Sequence, residues 1–231
     1  MSNLTPQFRT VPTTGALGGV SAAVSANKVL RNTYLLLSMT LLWSAALAGV
    51  AMAVGAPAFP WWLNLIGMLG LLFLVHATRN SAMGIVSVFA FTGFMGFTLG
   101  PMLSAYLSFV PNGGQLVAMS LGGTGVIFVA MSAYAVTSKK DFSFMGGFLL
   151  AGLVIVLLAG IANIFLAMPA LQIAISAAAI GVFSALILFD TSRIIHGGET
   201  NYLMATISLY LDIYNIFVHL LSLTGILSGD D

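Results

Sequence analysis

This sequence predicts an all-α polytopic membrane protein of seven transmembrane helices, and three observations predict it. Of its 231 residues, 59% are hydrophobic and only 6% are charged, whereas a soluble domain carries roughly 25% charged residues. Apolar stretches of roughly 20 residues recur, the length that crosses a ~30 Å hydrocarbon core at 1.5 Å per residue. All seven lysines and arginines fall before the first stretch or in alternate breaks after it, and merging or splitting one stretch would scatter them across both faces of the membrane.

The elements follow in order. Met1 to about Asn27 is polar and small, with Pro6 and Pro12. It lacks the long apolar run of a cleaved signal peptide and reads as a flexible cytoplasmic tail over residues 1–27. Residues 28–231 then form the transmembrane domain, with spans expected at about Thr33–Val54, Phe59–Ala77, Ala82–Leu107, Gln115–Thr137, Phe144–Ala167, Ala170–Thr191 and Leu203–Gly225. Gly55-Ala56-Pro57, Pro111-Asn112-Gly113-Gly114 and Met168-Pro169 are turn signals, Pro169 standing where a helix start tolerates its missing N–H. Glycines cluster inside two spans, Gly93, Gly96 and Gly100 in the third and Gly122, Gly123 and Gly125 in the fourth. In membranes such residues let helix backbones approach closely. Trp61 and Trp62 open the second span, where an interfacial aromatic belt is expected.

Charge sets the orientation. Arg9, Lys28 and Arg31 precede the first span, Arg79 follows the second, Lys139 and Lys140 follow the fourth, and Arg193 follows the sixth. The positive-inside rule makes that side cytoplasmic. The C-terminal Asp230-Asp231 is then expected on the outer, periplasmic side.

Composition excludes several chemistries. There is no cysteine, so disulfides, thiolate metal sites and thiol catalysis are absent. A net charge of +1 gives no electrostatic footprint for nucleic acid. His-Glu-x-x-His, Gly-x-Ser-x-Gly and phosphate-binding Gly-Lys motifs are missing, and no lysine lies within a span. The lipid bilayer is the first partner implied, and no enzyme is expected.

Two acids stand out, because charge inside a span costs about 2.5 kcal/mol or more on insertion scales. Asp190 lies near the cytoplasmic end of the sixth span, and Asp212 lies ~13 Å into the seventh by helical rise. The two spans are antiparallel neighbours, so the acids can meet. Ser208, Asp212, Asn215, His219 and Ser222 are spaced four, three, four and three, which places them on one helix face. A polar stripe of that length belongs in the bundle interior or along a water-filled path, which predicts a central seventh helix. A close carboxylate pair titrates as a unit and can sense pH or bind a hard cation such as calcium through oxygen. The structural alternative is that Arg193 pairs with Asp190 at i+3 and that Asp212 only hydrogen-bonds its neighbours. An aspartyl-protease dyad also needs two aspartates, but the Gly-x-Gly-Asp pattern of intramembrane proteases is absent around both.

These same residues resemble a known family. Leu188-Phe189-Asp190-Thr191-Ser192, His196-Gly197-Gly198-Glu199-Thr200-Asn201-Tyr202 and Ser208-Leu209-Tyr210-Leu211-Asp212-Ile213-Tyr214-Asn215-Ile216-Phe217 resemble the C-terminal signature of the Bax inhibitor family. Lys28 to Tyr34 and Ala90 to Phe94 make the chain similar to the bacterial YccA branch. The resemblance implies seven helices with the last one central, in the bacterial inner membrane. For the YccA branch it implies binding to FtsH, a membrane-anchored ATP-dependent protease, and modulation of its attack on membrane substrates. For the calcium-leak branch it implies a pH-sensitive aspartate pair, matched here by Asp190 and Asp212, and no cofactor other than calcium. That branch also latches the first aspartate with an arginine near the end of the second helix. Arg79 lies about one residue from that place, and no acid accompanies it in the second span.

Overall fold

The structure is a computed structural model that describes the backbone of residues 14–229 and the side chains of residues 26–229. Seven helices make up the described chain: α1 (Thr14–Ala53), α2 (Trp61–Thr78), α3 (Met83–Phe109), α4 (Gly113–Ser138), α5 (Gly146–Leu166), α6 (Pro169–Ile195) and α7 (Tyr202–Ser228), with one 3₁₀ turn at Ser143–Met145 before α5. Among the described residues all seven are long and apolar enough to cross a membrane, the first of them over Ala26–Ala53. The expected breaks hold. The tail expected over residues 1–27 lies outside the described residues as far as residue 13, and α1 already includes residues 14–27. Asp230 and Asp231 also lie outside them.

Helix α7 is the axis of the bundle. It packs against α6, α4 and α1, and more lightly against α3 and α2. Leu203, Ile207, Leu209, Tyr210, Asp212, Ile216 and Leu221 are all buried along it, so its apolar and polar sides are both enclosed. The arrangement is not six helices around one, however. Helix α5 packs on α6 and on the 3₁₀ turn, and it does not reach α7. Its side chains explain why. Apart from Asn163 they are aliphatic, aromatic or small, so lipid solvates them as well as protein does, and nothing drives α5 inward.

The tightest helix pair is α1 with α3, and glycine makes it so. A Cβ on Gly96 would collide with the Ser44 carbonyl oxygen. One on Gly93 would meet the Trp43 ring, and one on Gly100 would meet Ala51 and the Ala48 carbonyl. The glycines of α4 behave differently. At Gly122 and Gly125 an added Cβ meets nothing within 4 Å, so close packing inside this chain does not account for them.

Every described cation belongs to the end of the bundle where α7 begins, and that end is knitted across loops. The Asn201 side chain caps α7 by accepting from Leu203 N at 2.9 Å and Met204 N at 3.2 Å. Its amide donates to the Arg79 carbonyl at 2.9 Å and to Asn80 Oδ1 at 3.1 Å, tying the α6–α7 loop to the α2–α3 loop. Ser192 donates to the Lys140 carbonyl at 3.2 Å and accepts from Phe142 N at 3.0 Å. His196 Nε2 lies 3.2 Å from the Lys139 carbonyl. These bonds fix the α6–α7 junction on which the candidate site is built.

Gly96→Ala is expected to lower the thermal stability of the purified protein by about 1–3 kcal/mol, the usual range for overpacking. Gly125→Ala, with open space around it, is expected to be neutral or stabilising by up to about 1 kcal/mol, because alanine is the better helix former. Melting curves of both variants in one detergent check the contrast.

Candidate functional site

The site is assembled from the last two turns of α6 and the first half of α7. The sequence builds this corner locally. Gly197 takes φ +76°, a left-handed conformation that suits glycine. Gly198 N and Glu199 N then turn back onto the Arg193 carbonyl at 2.8 and 3.2 Å, closing the C-terminus of α6 before Asn201 starts α7. The short loop makes the two helices antiparallel and brings Asp190 and Asp212 into one region.

Asp190 is mostly enclosed, with its side chain 14% exposed, and its Oδ1 lies 3.8 Å from Arg193 Nη1. At that length the contact is an ion pair without a hydrogen bond. Arg193 is 35% exposed. It also reaches Glu199 Oε2 at 4.0 Å, donates to the Gly198 carbonyl at 3.3 Å, and lies over the Phe189 ring at 5.5 Å. It therefore bridges the last turn of α6 and the loop, above the first acid. Of the two arginines read as latches, Arg193 is the one beside Asp190. The Arg79 backbone holds Asn201, and among the described residues its side chain makes no ion pair.

Asp212 is more deeply placed. It is 4% exposed, and its Oδ2 is buried without a hydrogen-bond partner. Native proteins satisfy nearly all such groups, so an orphan carboxyl oxygen in the bundle centre is costly. The turn between α6 and α7 leaves both carboxyls in the half of the bundle where α7 begins. Thr33 Oγ1 is likewise buried and unpartnered.

The rest of the stripe divides along the helix. Ser208 is half-buried, and the Asn215 amide donates to its own helix at the Leu211 carbonyl, 2.8 Å. Toward the far end the polar groups are stitched to α6. His219 Nδ1 lies 3.3 Å from Ser176 Oγ, and its ring stacks on Phe183 at 6.4 Å. Gln172 donates to Ser222 at 3.3 Å and to Ser176 at 3.4 Å, and it accepts from the Asn163 amide at 3.1 Å. Asn163 Oδ1 in turn accepts from Met168 N. Gln172 and Ser176 are part of the stripe's surroundings that sequence reasoning missed. Their i, i+4 spacing in an apolar span is the signal that would have found them. Tyr210 was also missed. Its hydroxyl lies 2.7 Å from Ser44 Oγ and donates to the Thr92 carbonyl at 3.3 Å, joining α1, α3 and α7. Partners 166 and 118 residues away leave no trace in local spacing.

As a donor set for calcium the corner is incomplete. Ca²⁺ takes 6–8 oxygen ligands, and among the described residues no three His, Asp or Glu side chains converge on a common point. Asp190 is engaged by Arg193. The residues therefore do not fit a resident calcium ion.

A seven-helix bundle around a buried, acid-bearing last helix defines a polytopic integral membrane protein, and comparison with known proteins narrows the class. The model of the family described as inhibitor of apoptosis-promoting Bax1 (Bax1-I) matches residues 26–229, and the chain belongs to this Bax inhibitor family. It is 53% identical over 210 residues to the modulator of FtsH protease YccA of Escherichia coli strain K12, covering 91% of this chain and 95% of that protein. The same identity and coverage relate it to a protein of Escherichia coli O6:H1 named inner membrane protein YccA. An uncharacterized membrane protein of Vibrio cholerae is 50% identical over 209 residues, 90% of this chain and 93% of that one.

Proposed function

We propose that this protein is an inner-membrane regulatory protein that binds an FtsH-type membrane protease and modulates its attack on membrane substrates, without enzymatic activity of its own. The observation that carries this reading is the 53% identity, nearly end to end, to a protein named as a modulator of that protease. The bundle supports it physically. A protein that only regulates another needs a stable membrane scaffold, and α7 with its knitted loop end supplies one. Affinity purification of the tagged full-length protein from membranes is expected to recover the protease, and deletion of its gene is expected to change the half-life of the protease's membrane substrates. Absence of both effects removes the proposal.

A second reading rests on the unpartnered Asp212 oxygen and the nearby Asp190–Arg193 pair. In it, the two aspartates gate a pH-sensitive path for a hard cation such as calcium, and Arg193 holds the path shut at Asp190. Protonation would neutralise the carboxyls and alter that attraction. In proteoliposomes loaded with a calcium dye, calcium entry is expected to depend on pH, and Asp190→Asn with Asp212→Asn is expected to abolish the dependence. An unchanged pH response in the double variant takes the pair out of the mechanism.

The same positive-inside asymmetry supports a cytoplasmic N-terminus and cytoplasmic cationic loops. Because the chain has no cysteine, single introduced thiols report the side directly. In intact spheroplasts an impermeant maleimide is expected to label Ala58→Cys and to spare Lys140→Cys until the membrane is permeabilised. The reverse pattern inverts the topology.

A further inference from the structure

Helices α1 and α4 bound the same side of the bundle with their backbones apart, and the Tyr34 and Phe128 rings meet edge to face between the two helices at 5.9 Å. Between them lie two cavities, of about 420 Å³ toward the far end and about 400 Å³ toward the cationic end. Leu41 and Phe128 line both, so the two cavities adjoin along one crevice. Tyr34 and Thr137 line the cationic end, and Met52 and Val117 the other, as antiparallel helices require. The floor of the far cavity is α7, through Tyr210, Ile213, Tyr214 and Phe217.

The lower cavity holds about 400 Å³ and runs from Tyr34 to Leu41, about 10 Å of helix rise, a size that suits part of a polymethylene chain. Its walls are largely apolar, with Val129, Ala133 and Val136 on α4 and Leu37 and Leu41 on α1. Gly49 and Gly125, higher in the crevice, have open space where a Cβ would stand. Ser132, whose buried hydroxyl has no partner within the protein, lines the lower slot.

Charge at the mouth selects among lipids. Arg31 lies one turn before Tyr34, and Lys28 one turn before that, while Lys139 and Lys140 follow Thr137 at the end of α4. All four are exposed, and among the described residues none makes an ion pair. The one acid close in sequence, Asp141, is held below the usual carboxylate range by its hydrogen bonds from Ser143, and its Oδ1 accepts from Ser143 N at 2.9 Å. Asp190 and Glu199 are occupied by Arg193. The mouth therefore keeps a net positive charge at headgroup level.

We propose that the α1–α4 crevice binds an anionic phospholipid of the surrounding bilayer, with one acyl chain in the lower cavity against Leu37, Val129 and Ala133 and the phosphate between Lys28/Arg31 and Lys139/Lys140. This lipid fills the space beside the Tyr34–Phe128 contact, on a flank of the bundle next to α7.

Native mass spectrometry of the full-length protein, titrated with palmitoyl-oleoyl phosphatidylglycerol or with phosphatidylcholine of the same chains, tests this. Phosphatidylglycerol is expected to be retained in preference. Lys139→Gln with Lys140→Gln is expected to weaken it by on the order of tenfold or more, since each cation near an anionic surface contributes about fivefold. Ala133→Phe and, independently, Val129→Trp fill the slot from exposed positions and are expected to abolish tight retention while leaving the melting temperature near that of the parent. If either one folds and loses phosphatidylglycerol, the slot is the site. Equal retention of the two lipids by the parent overturns the proposal. So does undiminished phosphatidylglycerol binding in a folded slot-filled variant, which would mean the headgroup is held by surface charge alone. So does occupation of the crevice by a co-purifying protein helix crosslinked to Ala133→Cys.

Discussion

A polar side chain inside a bilayer has no water to bond, and most of this structure follows from how α7 meets that constraint. Its hydroxyl, amide, imidazole and carboxyl groups would each cost several kcal/mol if turned to lipid. Surrounding the helix with α1, α3, α4 and α6 removes them from hydrocarbon, and those neighbours then carry the complementary groups: Ser44 and the Thr92 carbonyl for Tyr210, Ser176 for His219 and Gln172 for Ser222. Helix α5, with one amide to place, is free to lie outside. Position in the bundle thus tracks polar content, as it must when lipid is as good a solvent for leucine as another leucine is.

The same constraint gives Asp212 its meaning. Tyr210, Asn215, His219 and Ser222 have each found a partner on their own helix or a neighbour, yet this carboxyl has a buried oxygen without one. The cost persists because the surrounding packing holds it, and such costs concentrate where a protein does something. The far half of the helix shows the contrasting case. There, the ladder through Gln172 satisfies the polar groups and locks α5, α6 and α7 together. One stripe of five similar residues therefore serves two purposes, an incompletely satisfied acid near the cationic end and a closed scaffold at the other.

Much of this was legible in the sequence. Hydropathy, the turn residues at Gly55-Ala56-Pro57 and Met168-Pro169, and the placement of the cations defined seven helices, all to within a few residues except the start of α1, which lies at Thr14 rather than near Thr33. The four-three spacing from Ser208 to Ser222 anticipated a buried last helix, since a periodic polar face has only one tolerable environment in a bilayer. Asp190 and Asp212 stood out because charge in a span is costly wherever the chain folds. The small residues were read less evenly. Gly93, Gly96 and Gly100 do admit α1, but Gly122 and Gly125 look the same in sequence and touch nothing.

The sequence by itself therefore determined the number of crossings, the clustering of the cations and the identity of the costly residues, all properties of single helices against a slab of hydrocarbon. Only the tertiary structure decided which helix faces meet. It set Arg193 rather than Arg79 beside Asp190, bound Tyr210 to Ser44 across the chain, put α5 outside the ring, and opened the crevice between α1 and α4. Those outcomes depend on lateral packing between segments far apart in sequence. In lipid that packing is governed by shape and partner hydrogen bonds, and hydropathy carries no record of either.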